Sequence, residues 1–133
     1  MSDIEDFFEA IKPVGPLFLG TVDGSQPKVR PIGFRMLVDN QIYFLTGTFK
    51  DVYMQMKANP KVEFTGTADG KIYRYYGTVV FDDDDALFEK AYETMPMLRD
   101  MYENTDLEAV IFHLEDATAE YRSMMELEKT VKF

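Results

Sequence analysis

Apolar positions along this chain follow two different periods. Near the start, Ile4, Phe7, Phe8 and Ile11 recur at three- and four-residue spacing, the signature of an amphipathic helix. Ser2 and Glu5 form an S-x-x-E capping box at its start, and Pro13, Gly15 and Pro16 end the helical pattern. From residue 17 the pattern alternates, as a half-buried strand requires. Strands are expected at 17–22, 28–38, 42–46, 62–67, 72–81, 110–114 and 119–124, with a short extension at 131–133. Asp23-Gly24, Asp39-Asn40 and Asp69-Gly70 supply the turns. A helix is expected over 48–59, ended by Asn59-Pro60, and another over 84–103, broken near Pro96. Strands joined by short turns, with helices inserted, imply an α+β fold, mainly antiparallel β: a closed or partly closed barrel with peripheral helices. No repeat or Ser/Gly-rich linker divides the chain, so residues 1–133 read as a single domain.

Composition narrows the function. Hydrophobic residues are 46% of the chain, enough for a packed core and against disorder. No apolar run reaches about 18 residues, so no membrane span is expected. The N-terminal MSDIEDFFEA is acidic and lacks a signal peptide's basic region, so a cytoplasmic protein is expected. The absence of cysteine excludes disulfides, thiolate catalysis and cysteine-ligated metal or iron–sulfur sites. Charge is uneven: residues 1–67 carry eight acids and seven bases, residues 68–133 sixteen and seven. The acidic second half should repel nucleic acid and anionic membranes. An anionic ligand belongs with the first half, near Lys28, Arg30, Arg35 and Lys50.

The stretch Phe44-Leu45-Thr46-Gly47-Thr48-Phe49-Lys50-Asp51 reads as a strand end, a glycine turn and a helix start. Thr48 is the expected cap, with Asp51 completing a T-x-x-D box. The first amides of such a helix lack internal acceptors and carry the positive end of its dipole. Lys50 adds a cation there, a conflict that a phosphate monoester resolves; a lone first-turn lysine otherwise points into solvent. On the preceding strand, alternation sets Arg30 on one face with Ile32, Phe34, Met36 and Val38. An arginine among apolar side chains needs a partner. Pro31 and Gly33 both weaken a strand interior, which suggests either a bulge that turns Arg30 outward or a ligand lying against the backbone.

Other features have simpler readings. Asp82 to Asp85 lack the glycine and distal glutamate of a calcium loop and suit a helix start. His113, the single histidine, reads as a half-exposed strand residue, and alone it makes a zinc site improbable. The nine methionines read as core or interface filler. No metal site, Ser-His-Asp set or paired carboxylates emerge, as expected where a cofactor carries the chemistry.

R-P-I-G-F on a long strand, then Y-F-L-T-G-T-F-K-D-V-Y-M-Q-M-K-A-N-P-K-V-E-F, resembles the FMN-binding split-barrel family related to pyridoxamine 5′-phosphate oxidase. The Asp-Gly hairpin, G-T-V-V-F-D and M-P-M-L-R-D-M-Y are also similar to this family. The likeness covers about residues 14–125 and is strongest over 28–64. It implies an FMN-binding split β-barrel, a homodimer with flavin at the interface, and transfer of electrons between a small-molecule donor and acceptor. It also implies site residues. Arg30 and Lys50 would hold the phosphate, helped by Thr48 and the amides around Phe49; Arg30, Pro31, Ile32, Gly33 and Thr46 would line the ribityl chain and ring; Arg35 is a further candidate. Tyr73, Arg74 and Tyr121 are candidates for closing the partner's site. The chain ends Glu-Lys-Thr-Val-Lys-Phe, without tryptophan or a basic cluster, unlike the oxidases' substrate-binding arm, which argues against pyridoxine metabolism. A non-catalytic flavin module and a haem-binding or haem-degrading relative are the alternative readings.

Overall fold

In a computed structural model describing all 133 residues, the expected helix α1 (Asp3–Ala10) starts on its capping box. The Ser2 hydroxyl accepts from the Glu5 amide, and the Glu5 carboxylate accepts from the Ser2 amide at 2.9 Å. The elements that follow are β1 (Leu17–Asp23), β2 (Gln26–Ile32), β3 (Arg35–Val38), β4 (Gln41–Gly47), α2 (Asp51–Ala58), β5 (Lys61–Ala68), β6 (Lys71–Asp82), α3 (Asp85–Thr94), a π-helical turn (Arg99–Glu103), β7 (Ala109–Arg122) and β8 (Leu127–Lys132). Two hairpin turns have both central residues in the left-handed region: Asp39 and Asn40 at φ 49° and 61°, and Asp69 and Gly70 at 53° and 77°. That geometry matches the twist of the flanking strands.

All strand pairs are antiparallel, in the order β2-β1-β5-β6-β7-β4-β3, with β8 also on β7. The two edge strands, β2 and β3, are consecutive in the chain, joined only by Gly33 and Phe34. The sheet therefore curls toward closure without completing it, as a split barrel. Strand β7 holds both halves. One of its edges pairs with β6 throughout, while the other serves β4 near Phe112 and β8 near Ala119.

Several expected boundaries change. The single strand expected over 28–38 is two strands, because the chain bends at Gly33. The strands expected at 110–114 and 119–124 are one strand carrying a bulge. The register slips opposite Tyr76 and Thr78, and Asp116 takes φ 51°. The extra residue reverses the alternation, so Phe112 and Leu114, then Ala117 and Ala119, all face the core. The helix expected over 84–103 stops at Thr94, and the chain passes Pro96 into the π-helical turn. The extension at 131–133 is a six-residue strand beginning at Leu127.

Inside the curl, Phe7, Phe44, Phe64 and Phe112 are fully buried. Phe44 and Phe64 stack at 4.1 Å. Each such ring contributes roughly 1.5–3 kcal/mol of transfer free energy. A second cluster lies outside the sheet, where Phe34, Met36, Leu45 and Ile111 pack against Leu87, Ala91 and Tyr92 of α3 and against Tyr102. Helix α3 thus covers the outer face of β3, β4 and β7.

Candidate anion and cofactor site

Arg30 sits across from Leu19 on β1, and its guanidinium reaches helix α2. It donates to the Leu19 carbonyl at 3.0 Å, to Thr21 Oγ1 at 2.6 Å and to Gln55 Oε1 at 2.6 Å. Thr21 Oγ1 in turn donates to Gln55 Oε1 at 2.6 Å. Every acceptor is neutral. Burial pushes the Arg30 pKa down, and the charge of Asp51, at the start of α2, partly offsets this. Two of the five N–H donors of a guanidinium, one of them on Nε, therefore have no acceptor within the chain. The β1–β2 hairpin, α2 and Asp51 also enclose a cleft of ≈ 270 Å³ next to Gln55. Thr21 lies outside the family-like motifs, and Gln55, though within one, is not among the candidate site residues. Thr21 becomes a partner only through strand register, and Gln55 only through the seating of α2.

Helix α2 starts later than expected. Thr48 does not cap it: its hydroxyl and amide both donate to the Glu108 carbonyl, the amide at 2.9 Å. That tether to the segment before β7 holds Thr48 away from the helix axis. Lys50 is the N-cap and offers no side-chain cap bond. The Lys50 amide bonds the Gly47 carbonyl and the Tyr53 amide bonds the Lys50 carbonyl. The amides of Phe49, Asp51 and Val52 have no acceptor in the chain. The Lys50 ammonium lies 5.8 Å from the centroid of the Phe49 ring and forms no ion pair. The half-exposed Phe49 ring lies over Gly47, where a Cβ would come within 2.3 Å of it. Neither Lys50 nor these amides would have to give up an ion pair or an acceptor to bind an anion.

The bend at Gly33 has open space around it. A Cβ there would meet nothing within 4 Å, and its φ is not left-handed. Pro31 pairs with Phe18 on the edge strand β2, where a missing N–H costs no ladder bond. Ile32 is buried against the inner cluster. Thr46 is enclosed, and its Oγ1 has no hydrogen-bond partner.

The remaining candidates lie elsewhere. Arg35 donates to the carbonyls of Ile11, Val14 and Gly15 at 2.8, 2.8 and 3.0 Å, so it ties down the end of α1. Tyr73 and Tyr121 pack edge-on with each other at 5.9 Å, and both meet Phe7 of α1. Arg74 pairs with Glu63 on the opposite, outer face of the sheet. His113, read from sequence as a solitary strand residue, pairs through Nδ1 with Asp82 at 2.7 Å, beside the Tyr43 ring at 5.7 Å. No helix is long and apolar enough to cross a membrane.

Comparison with known proteins bears on the family and the fold. The family model described as pyridoxamine 5′-phosphate oxidase matches residues 4–123. A NimC/NimA family protein from Clostridium acetobutylicum superposes with TM-score 0.88 at 28% identity, covering 98% of this chain and 92% of that one. General Stress Protein 26 from Bacillus anthracis superposes at 0.76 with 16% identity over the whole of both chains. A haem-binding protein from Mycobacterium smegmatis superposes at 0.71 with 8% identity, covering 99% of this chain and 59% of that one. Among curated proteins, none matches the sequence. The curled, unclosed sheet and the match along nearly its whole length place the chain in the pyridoxamine 5′-phosphate oxidase-like family of split-barrel proteins.

Proposed function

We propose that this chain is an FMN-binding oxidoreductase acting as a homodimer, with the phosphate held where β2 meets α2. The carrying observation is Arg30: a half-buried guanidinium with only neutral acceptors, beside a helix start with three free amides and an unpaired Lys50. A dianionic phosphate satisfies all of these groups together. The open bend at Gly33 leaves the backbone of β2 accessible to a flat ring. The flavin, when bound, supplies electron transfer between a small donor and a small acceptor. The chain's residues anchor and orient it: Arg30 and Lys50 by charge, the Phe49, Asp51 and Val52 amides by hydrogen bonds, and Ile32-Gly33 by contact. Thr21 and Gln55 hold the guanidinium through its two Nη atoms and leave Nε without an acceptor in the chain. A second subunit covers the outer side of the ring, which so small a barrel cannot enclose.

The test is spectroscopic. Purified protein titrated with FMN is expected to give a two-band flavin spectrum, bleached by NADH or NADPH and restored by a quinone or nitroaromatic. A flavin spectrum without bleaching indicates a non-catalytic module, and a Soret band after haem addition with no flavin uptake overturns the proposal. Arg30→Ala and Lys50→Ala are each expected to weaken FMN binding by about 1.5–3 kcal/mol. Unchanged affinity in both would retire this phosphate site.

A further inference from the structure

The end of β6, the first turn of α3 and the start of β7 do not close on one another. Strand β6 runs out at Asp82, α3 begins at Asp85 and β7 begins at Ala109. Between them lies a cavity of ≈ 470 Å³, a size that suits a small molecule. Its apolar wall is Phe81, Phe88, Ala109 and Val110, all half-buried. Its lining shares no residue with the cleft beside Gln55.

Every charged residue of the lining is an acid: Asp82, Asp83 and Glu108. No lysine or arginine pairs with any of them. Asp82 is held in place from one side. His113 Nδ1 meets its Oδ2 at 2.7 Å, and its Oδ1 has no donor in the chain. The Asp82 side chain is only 19% exposed, so its charge is less screened than that of a surface carboxylate. Asp83 and Glu108 are exposed.

This combination selects a type of ligand. An anion is repelled, in a half of the chain with sixteen acids and seven bases. A metal ion needs several oxygens converging on one point, and no group of three acidic or histidine side chains is placed to hold one. An organic cation needs less: a negative charge near its head and an apolar wall for its body. Aromatic rings add attraction for an ammonium.

We propose that this cavity is a binding site for an organic ammonium, a protonated amine on an aromatic or branched apolar body. The body packs on Phe81, Phe88 and Val110. The ammonium meets Asp82 Oδ1, and Asp83 and Glu108 add negative charge at the entrance.

The probe is 2-phenylethylamine, an ammonium at neutral pH, titrated calorimetrically into the full chain with and without FMN. One saturable site is expected in both conditions. The neutral 2-phenylethanol and the anionic 3-phenylpropionate are expected to bind at least about 10-fold more weakly, the loss of one charge-assisted contact. The imidazole resonances of His113, the single histidine, are expected to shift as the amine binds, because His113 is bonded to Asp82. The double variant Asp83→Asn/Glu108→Gln is expected to weaken the amine at least about 10-fold. Glu93→Gln/Asp100→Asn removes the same charge from exposed positions outside the cavity and is expected to change affinity by no more than about 2-fold, since salt screens distant charges. Thermal melts establish that both double variants are folded. Absence of saturable binding, equal affinity for the alcohol, unmoved His113 resonances, or equal losses in the two double variants overturns the proposal. A chain that binds the amine and takes no FMN supports this site while removing the flavin reading, and the reverse result removes this site alone.

Discussion

Two glycines illustrate how differently a residue type can be used. At Gly77 a Cβ would stand 2.7 Å from the Glu115 carbonyl and 3.1 Å from Ala117 Cα. Both are backbone atoms at the β7 bulge and cannot yield cheaply. Gly77→Ala is therefore expected to cost about 1–3 kcal/mol, read as a lowered urea midpoint. At Gly33 nothing in the chain obstructs a Cβ. Gly33→Ala is expected to leave stability unchanged or raise it by up to about 1 kcal/mol, while weakening FMN binding if the ring lies there. Glu120 offers a pH test. Its carboxyl is held below the usual range chiefly by the hydrogen bond from Arg122, with Tyr76 helping. A depressed folded pKa means that this stabilisation is complete above the ordinary glutamate value of about 4.3 and is lost as pH falls through the folded value. Glu120→Gln should therefore lower Tm at neutral pH and flatten its decline below about pH 4.3. A decline as steep as the wild type's would remove Glu120 as a contributor.

At the scale of elements, α1 shows how a helix is seated by distant groups. Its capping box and apolar stripe are local, but its end is held by Arg35, which binds three carbonyls from Ile11 to Gly15. Arg35→Ala is expected to cost about 1.5–3 kcal/mol and to speed hydrogen exchange of the α1 amides. Arg35→Lys should recover only part, because an ammonium lacks the planar fork that spans several acceptors. Exchange rates equal to the wild type's in Arg35→Ala would show that Phe7 packing against Tyr73, Tyr75 and Tyr121 seats the helix unaided. Helix α2 shows the opposite balance. Its expected cap, Thr48, is taken by Glu108, sixty positions away, leaving helix-start amides free for something outside the chain.

At the scale of the whole molecule, the strands, the turns and the change from helical to alternating period were legible in the sequence, because each rests on interactions within a few residues. So was the family motif, since the strand, glycine turn and helix start that carry it are contiguous in the chain. Other features were settled only when distant segments met. The strands β2 and β3, adjacent in the chain, became the two edges of a curled sheet because β1 pairs with β5 and β4 with β7. The bulge in β7 falls between the stretch paired with β4 and the stretch paired with β8. Arg30 received Thr21 and Gln55, while Arg35 went to α1, although alternation alone treats both as basic residues on one strand. Local periodicity determines which elements form; register and packing, set by contacts between residues far apart in the chain, decide which side chains finally meet.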